Sequence, residues 1–118
     1  MIIDKELEII RNKDLEEHFG IEIKRLGYTI EKDEYADYET GGELKFHCEI
    51  KSVNGNNIGQ DIYLRIAALD DKDEIIATSS TLNLEPDEFY IEALWSDYFR
   101  LNYENLKALK IYISKTMY

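Results

Sequence analysis

The sequence predicts one antiparallel β-sandwich of six or seven strands, with a short helix at its N-terminus packed on one side. Three observations carry this. From Phe19 onward the apolar residues recur mostly with period two, the pattern of strands buried on one face. The alternating runs are short, and polar clusters of Asn, Asp and Gly separate them. A chain of 118 residues holds one domain of this kind and hardly two.

Residues 1–18 depart from period two. Ile3, Leu7 and Ile10 recur at i, i+4 and i+7, Asp4 stands where an N-cap would, and Leu15 and Phe19 continue the stripe. The segment therefore reads as an amphipathic helix. A strand follows from Gly20 to about Glu31, and its phase slips midway. Ile21 and Ile23 share one parity, and Leu26, Tyr28 and Ile30 share the other. One extra residue at Lys24-Arg25, a β-bulge, returns both sets to one face, and Gly27 beside the slip fits it.

Glu31 to Glu39 is an acidic connection, and Gly41-Gly42 reads as the turn before the next strand. Over 43–53, Leu44, Phe46, Cys48 and Ile50 alternate with Lys45, His47, Glu49 and Lys51. Asn54-Gly55-Asn56-Asn57 is a turn, since Gly and Asn tolerate positive φ. Over 60–70, Ile62, Leu64, Ile66 and Ala68 form one face, and Tyr63, Arg65, Ala67 and Leu69 the other. Asp70-Asp71-Lys72-Asp73 turns the chain into a strand over 74–82, and Glu85-Pro86-Asp87 ends it, because Pro cannot donate to a ladder. Phe89, Ile91, Ala93 and Trp95 mark the inward face of a strand over 88–95. The last strand, 106–115, sets Leu109, Ile111 and Ile113 opposite Lys110 and Tyr112.

The charge excludes function classes. Fourteen Lys and Arg against 25 Asp and Glu leave a net −11. A nucleic-acid binder concentrates cations to neutralise phosphates. Here the longest basic run is the pair Lys24-Arg25. Anionic membrane surfaces are disfavoured for the same reason. No apolar run reaches the ~18 residues of a membrane span. The start, Met1-Ile2-Ile3-Asp4-Lys5-Glu6, lacks the pattern of a signal peptide, so a cytoplasmic location is expected. Cys48 is the sole cysteine, which leaves the core alone to hold the chain together.

Catalytic and metal chemistry find little footing. His47 and Cys48 are neighbours on a strand and so point to opposite faces, against a nucleophile–base dyad. His18 is tied to neither. One Cys and two distant His do not form a zinc set, and no phosphate-binding glycine loop or cofactor motif is present. Non-enzymatic function without a cofactor is therefore expected. The acidic loops at 31–39 and 70–74 are the segments where calcium would find oxygen ligands, although Lys72 puts a cation inside the second.

The aromatic pattern is more informative. Tyr63, Tyr90 and Tyr112 lie on the parity opposite the inward sets of three strands, and Tyr35 and Tyr38 fall in the acidic connection. Tyrosine is enriched at interfaces, and these five are the candidate residues of an acidic recognition face. The expected function is a non-catalytic module that binds a basic protein partner, an immunity-type or regulatory inhibitor being the concrete form. A calcium- or carbohydrate-binding sandwich, with the tyrosines and Trp95 stacking on sugar rings, is the alternative. Pairing of an edge strand between two copies is a further partner arrangement, which the like charge resists.

The stretch from Glu43 to Ser114 resembles the small bacterial immunoglobulin-like modules of the FxLYD type. The likeness lies in Glu49-Ile50-Lys51-Ser52-Val53-Asn54-Gly55, in the strand and acidic turn of 62–76, and in a strand after Pro86. Where the family has Phe-x-Leu-Tyr-Asp, this chain has Ile66-Ala67-Ala68-Leu69-Asp70, which keeps only the Asp. The resemblance implies an immunoglobulin-like, seven-stranded, non-catalytic sandwich and transfers no functional residue.

Overall fold

The computed structural model describes residues 2–32, 41–53, 58–86 and 92–115. The elements in chain order are β1 (Ile2–Ile3), β2 (Glu8–Ile10), α1 (Lys13–His18), β3 (Ile21–Lys32), β4 (Gly42–Ser52), β5 (Ile62–Asp70), β6 (Ile75–Thr78), β7 (Leu82–Leu84), β8 (Glu92–Leu101), a 3-10 turn (Tyr103–Asn105) and β9 (Leu106–Ser114). They form two sheets. Sheet A has the order β1-β3-β4-β8 and is antiparallel throughout. Sheet B has the order β2-β9-β5-β6, with β7 also on β5, and it is mixed because β2 runs parallel to β9.

The period-two pattern explains the packing. Ile21, Ile23, Ile30, Leu44, Phe46, Cys48 and Ile50 from sheet A meet Ile62, Leu64, Ile66, Leu109, Ile111 and Ile113 from sheet B in one buried cluster. Phe46 sits near its centre, edge-on to Trp95 at 5.1 Å between ring centroids. The bulge lies where the phase slip places it. Lys24 pairs with Glu49 and Gly27 with His47, so β3 spends one residue more than β4. Arg25 takes φ 55 there. Gly27 leaves room for the His47 imidazole, which a Cβ would approach to 2.8 Å.

The N-terminal helix is corrected. Ile2–Ile3 pair with Glu31 and Ile30, and Glu8–Ile10 run beside Ala108–Lys110. Only Lys13–His18 is helical, and its N-cap is Asn12, whose Oδ1 accepts the Leu15 N–H at 3.1 Å. Two physical terms favour strand. Ile is stiff at χ1 in a helix, and the edges of β3 and β9 offer backbone partners that a lone helical turn lacks. The crossing between the sheets is pinned by Tyr28, whose hydroxyl accepts from Leu7 N at 2.7 Å and donates to Lys5 O at 3.0 Å.

Arg11 and Glu16 perform the role of a missing strand. The Glu16 carboxylate is 3% exposed and accepts the Ile23 N–H at 3.0 Å. The Arg11 guanidinium donates to Ile23 O at 2.7 Å and also pairs with Glu16. Both outward backbone groups of Ile23 on the β3 edge are thereby satisfied by side chains. The hydrogen bonds to Glu16 hold the Arg11 pKa above its ordinary value, against the opposing effect of burial, and the Glu16 charge adds to them.

Two strands differ in extent from expectation. The strand expected over 74–82 is split into β6 and β7. Between them buried Ser79 donates its N–H to Ile66 O at 2.9 Å, while its Oγ accepts the Ile66 N–H at 3.0 Å. The hydroxyl substitutes for a ladder partner, and the strand breaks there. β8 runs six residues beyond the expected end, and Phe99 and Leu101 join the core. Ser96-Asp97 had interrupted the apolar alternation. Phe89 and Ile91 lie outside the described residues, as do Asn54–Asn57. Among the described residues no helix is long and apolar enough to cross a membrane.

Candidate binding face

The outer face of sheet B is where the tyrosine pattern leads. Tyr63 and Tyr112 both lie on it, half-buried, and they are diagonal neighbours: Tyr63 pairs with Ser114, and Tyr112 with Arg65. Tyr35, Tyr38 and Tyr90 lie outside the described residues.

This face is not a simple solvated surface. Ala67, Leu69 and Ala108 are buried on it, with Ile10 and Tyr112 packed against them. Small residues on the adjacent strands β5 and β9 leave space that the Tyr112 ring and Ile10 fill. Pinning of Lys5 and Leu7 by Tyr28 delivers β2 to the edge of β9, which puts Ile10 opposite Lys110. The result is a shallow depression of about 420 Å³ lined by Glu8, Ile10, Leu69, Asp73, Lys107, Lys110 and Tyr112. A second, of about 500 Å³, continues from Ile10 and Lys110 to Asn12, Lys13 and Asp14.

The charges beside Tyr112 are cationic. The Arg65 guanidinium lies 5.5 Å, and the Lys110 ammonium 5.0 Å, from the ring centroid. Both are within cation–π range of the ring. Glu8 and Asp73 supply the acidic rim. In a chain of net −11, the acidic setting expected for the tyrosines thus gives way at Tyr112 to a locally cationic one.

The other singled-out residues have structural placements. His47 is exposed and Cys48 buried, on opposite faces of β4. Burial pushes the Cys48 thiol up to about 11, which keeps it protonated and unreactive at neutral pH. Trp95 is 5% exposed in the core, so it is not available to stack on a sugar ring. In the 70–74 turn, Asp70 Oδ1 accepts the N–H groups of Lys72 and Glu74, each at 2.9 Å. That carboxylate closes the hairpin, and Asp73 at φ 62 completes it. Lys72 projects from the same turn.

The residues that sequence reasoning passed over are Arg65, Ala67, Leu69, Ala108 and Lys110. Their signal was present: apolar Ala67 and Leu69 occupy the outward parity of β5, where a solvated face would carry polar side chains.

Comparison with protein-family models, with curated proteins and with solved structures gives no match.

Proposed function

We propose that this chain is a non-catalytic protein-binding module whose contact surface is the outer face of sheet B. The observation that carries the reading is the aromatic and apolar centre of that face: Tyr112 seated over Ala67, Leu69 and Ala108, with Arg65 and Lys110 beside it. A sheet face with rigid tyrosines over a dry centre and charges at the rim has the anatomy of a recognition surface. The partner is a basic protein, drawn in by the field of a chain with net −11 and gripped at Glu8 and Asp73. A small immunity-type or regulatory inhibitor is the concrete form.

The two facing sheets support the sandwich part of the immunoglobulin-like reading. The adjacency of β3 and β4 in one sheet departs from the constant-type order, where neither the second and third nor the third and fourth strands share a sheet.

The test is affinity capture at low salt with the wild type and with Tyr63→Ala and Glu8→Lys, followed by titration of the identified partner. Weaker binding by both folded variants, with an association rate that falls as salt rises, is expected. Unchanged affinity in both would overturn the assignment of this face.

A further inference from the structure

The sheet edges are unequal. β1, β2, β6 and β7 are two, three, four and three residues long. Among the described residues the edge strand β8 has ten residues and is paired on one side only, with β4. Short edge strands blunt unwanted pairing, whereas a long one is a template for another strand.

The direction of the β8 backbone follows from β3. Ile23 gives its N–H to Glu16 and accepts from Arg11, so the Ile23–Ile50 pair is not hydrogen-bonded across the ladder. Alternation along β4 then turns Glu49 and Lys51 toward β3, and Cys48 and Ile50 toward β8. The unbroken β4–β8 register, with Cys48 opposite Trp95, makes the odd-numbered residues of β8 the ones bonded to β4. The even-numbered ones, Glu92, Leu94, Ser96, Tyr98 and Arg100, aim N–H and C=O away from the sheet. Tyr98 agrees: its N–H points outward to Asp97 Oδ1 at 2.8 Å. Asp97 also accepts the Ser80 N–H at 3.0 Å and is the guard on this edge.

The same even-numbered side chains line the outer face of sheet A. Leu94 is 82% and Tyr98 60% exposed. Arg100 is exposed with no ion pair among the described residues, and Glu92 reaches only Lys51, at 3.9 Å. Read outward from Ser96, this series is self-complementary. We propose that β8 pairs antiparallel with β8 of a second copy about a two-fold axis at Ser96, joining the two A sheets into one.

In that register Ser96 faces the partner's Ser96, Leu94 faces the partner's Tyr98, and Glu92 faces the partner's Arg100. All are outward-directed residues, so each pair exchanges backbone hydrogen bonds. An aliphatic–aromatic pair and an opposite-charge pair are both favourable across strands, and symmetry repeats each of them. A slip of two residues sets Glu92 opposite Tyr98 or Leu94 opposite Arg100 and loses both matches. Tyr98 N–H exchanges its Asp97 acceptor for the partner's Leu94 carbonyl.

Sedimentation equilibrium at physiological ionic strength, where repulsion between like charges is screened beyond about 8 Å, tests the pairing. A concentration-dependent dimer is expected. Glu92→Arg and Arg100→Glu alone each weaken it by about tenfold or more, since each places like charges opposite one another twice. The double variant restores it. An equimolar mixture of the two single variants forms a heterodimer although each alone stays monomeric. Both positions are exposed, and Trp95 fluorescence verifies that each variant is folded. A wild type that stays monomeric up to millimolar concentration overturns the proposal, as does a dimer insensitive to both charge reversals or not restored by the double variant.

Discussion

Truncation of Glu16 to Ala tests how the N-terminal segment is held. The carboxylate is 3% exposed and holds two partners, Ile23 N–H at 3.0 Å and the Arg11 guanidinium, whose Nε lies 2.9 Å away. Its loss leaves a buried N–H without an acceptor, at about 1–3 kcal/mol. Breaking a buried ion pair costs about 3–5 kcal/mol when the remaining charge stays dry. Here the Arg11 side chain is 26% exposed and keeps its 2.7 Å bond to Ile23 O, so water recovers part of that loss. About 3 kcal/mol is expected in total, a large share of the ~5–15 kcal/mol of a typical domain. At roughly 4 °C per kcal/mol the Tm falls by about 12 °C. Urea unfolding followed by the single tryptophan, Trp95, measures it. Replacing both partners with apolar residues (Arg11→Met with Glu16→Leu) rescues many buried ion pairs. Here it should still cost about 2 kcal/mol, because Ile23 loses both its acceptor and its donor. A Glu16→Ala protein within about 0.5 kcal/mol of wild type would refute the assignment of Arg11 and Glu16 as the cap of the β3 edge.

Phe46→Ala removes a ring that is 2% exposed and contacts Trp95 and Phe99, and should cost ~3–5 kcal/mol by chemical denaturation. Arg25→Gly relieves the φ of 55 at the bulge and should stabilise by up to about 1 kcal/mol, since the exposed 3.6 Å contact with Glu49 contributes little. Cys48 bears on alkaline stability. Its folded pKa of about 11 lies above the ordinary 9.0, so the unfolded chain releases the thiol proton first. The associated stability is therefore whole below pH 9 and lost between pH 9 and about 11, by at most about 2–3 kcal/mol. Cys48→Ala should unfold with a shallower alkaline slope, and the native thiol should resist a thiol reagent at pH 8 until urea unfolds the chain.

Strand faces were the most legible feature. Phe46, Cys48 and Ile50, and Ile62, Leu64 and Ile66, turn inward as their alternation demands, because burying one face of a sheet imposes period two on the sequence. The bulge at Lys24-Arg25 was readable for the same reason, since a one-residue slip is the only way to keep Ile23 and Tyr28 on one side. The N-terminus misled because Ile3, Leu7 and Ile10 also match a helical stripe over so short a span. The candidate binding face was half visible. The parity of Tyr63 and Tyr112 pointed to it, but the cations beside Tyr112 come from two strands, far apart in the chain.

The sequence by itself determined which side chains point inward along β3, β4, β5 and β9, that a turn falls at Asp70–Asp73, and that the chain carries an excess of 11 negative charges. All are local or additive properties. Tertiary structure decided what depends on neighbours. Edge vacancies on β3 and β9 drew Ile2–Ile3 and Glu8–Ile10 into strands. The same kind of vacancy at Ile23 drew in Glu16 and Arg11, and at Ile66 it drew in Ser79. A backbone N–H or C=O at a sheet edge must find a partner. Which distant residue supplies it is set by the pairing order of the strands, and no periodicity within one segment records that order.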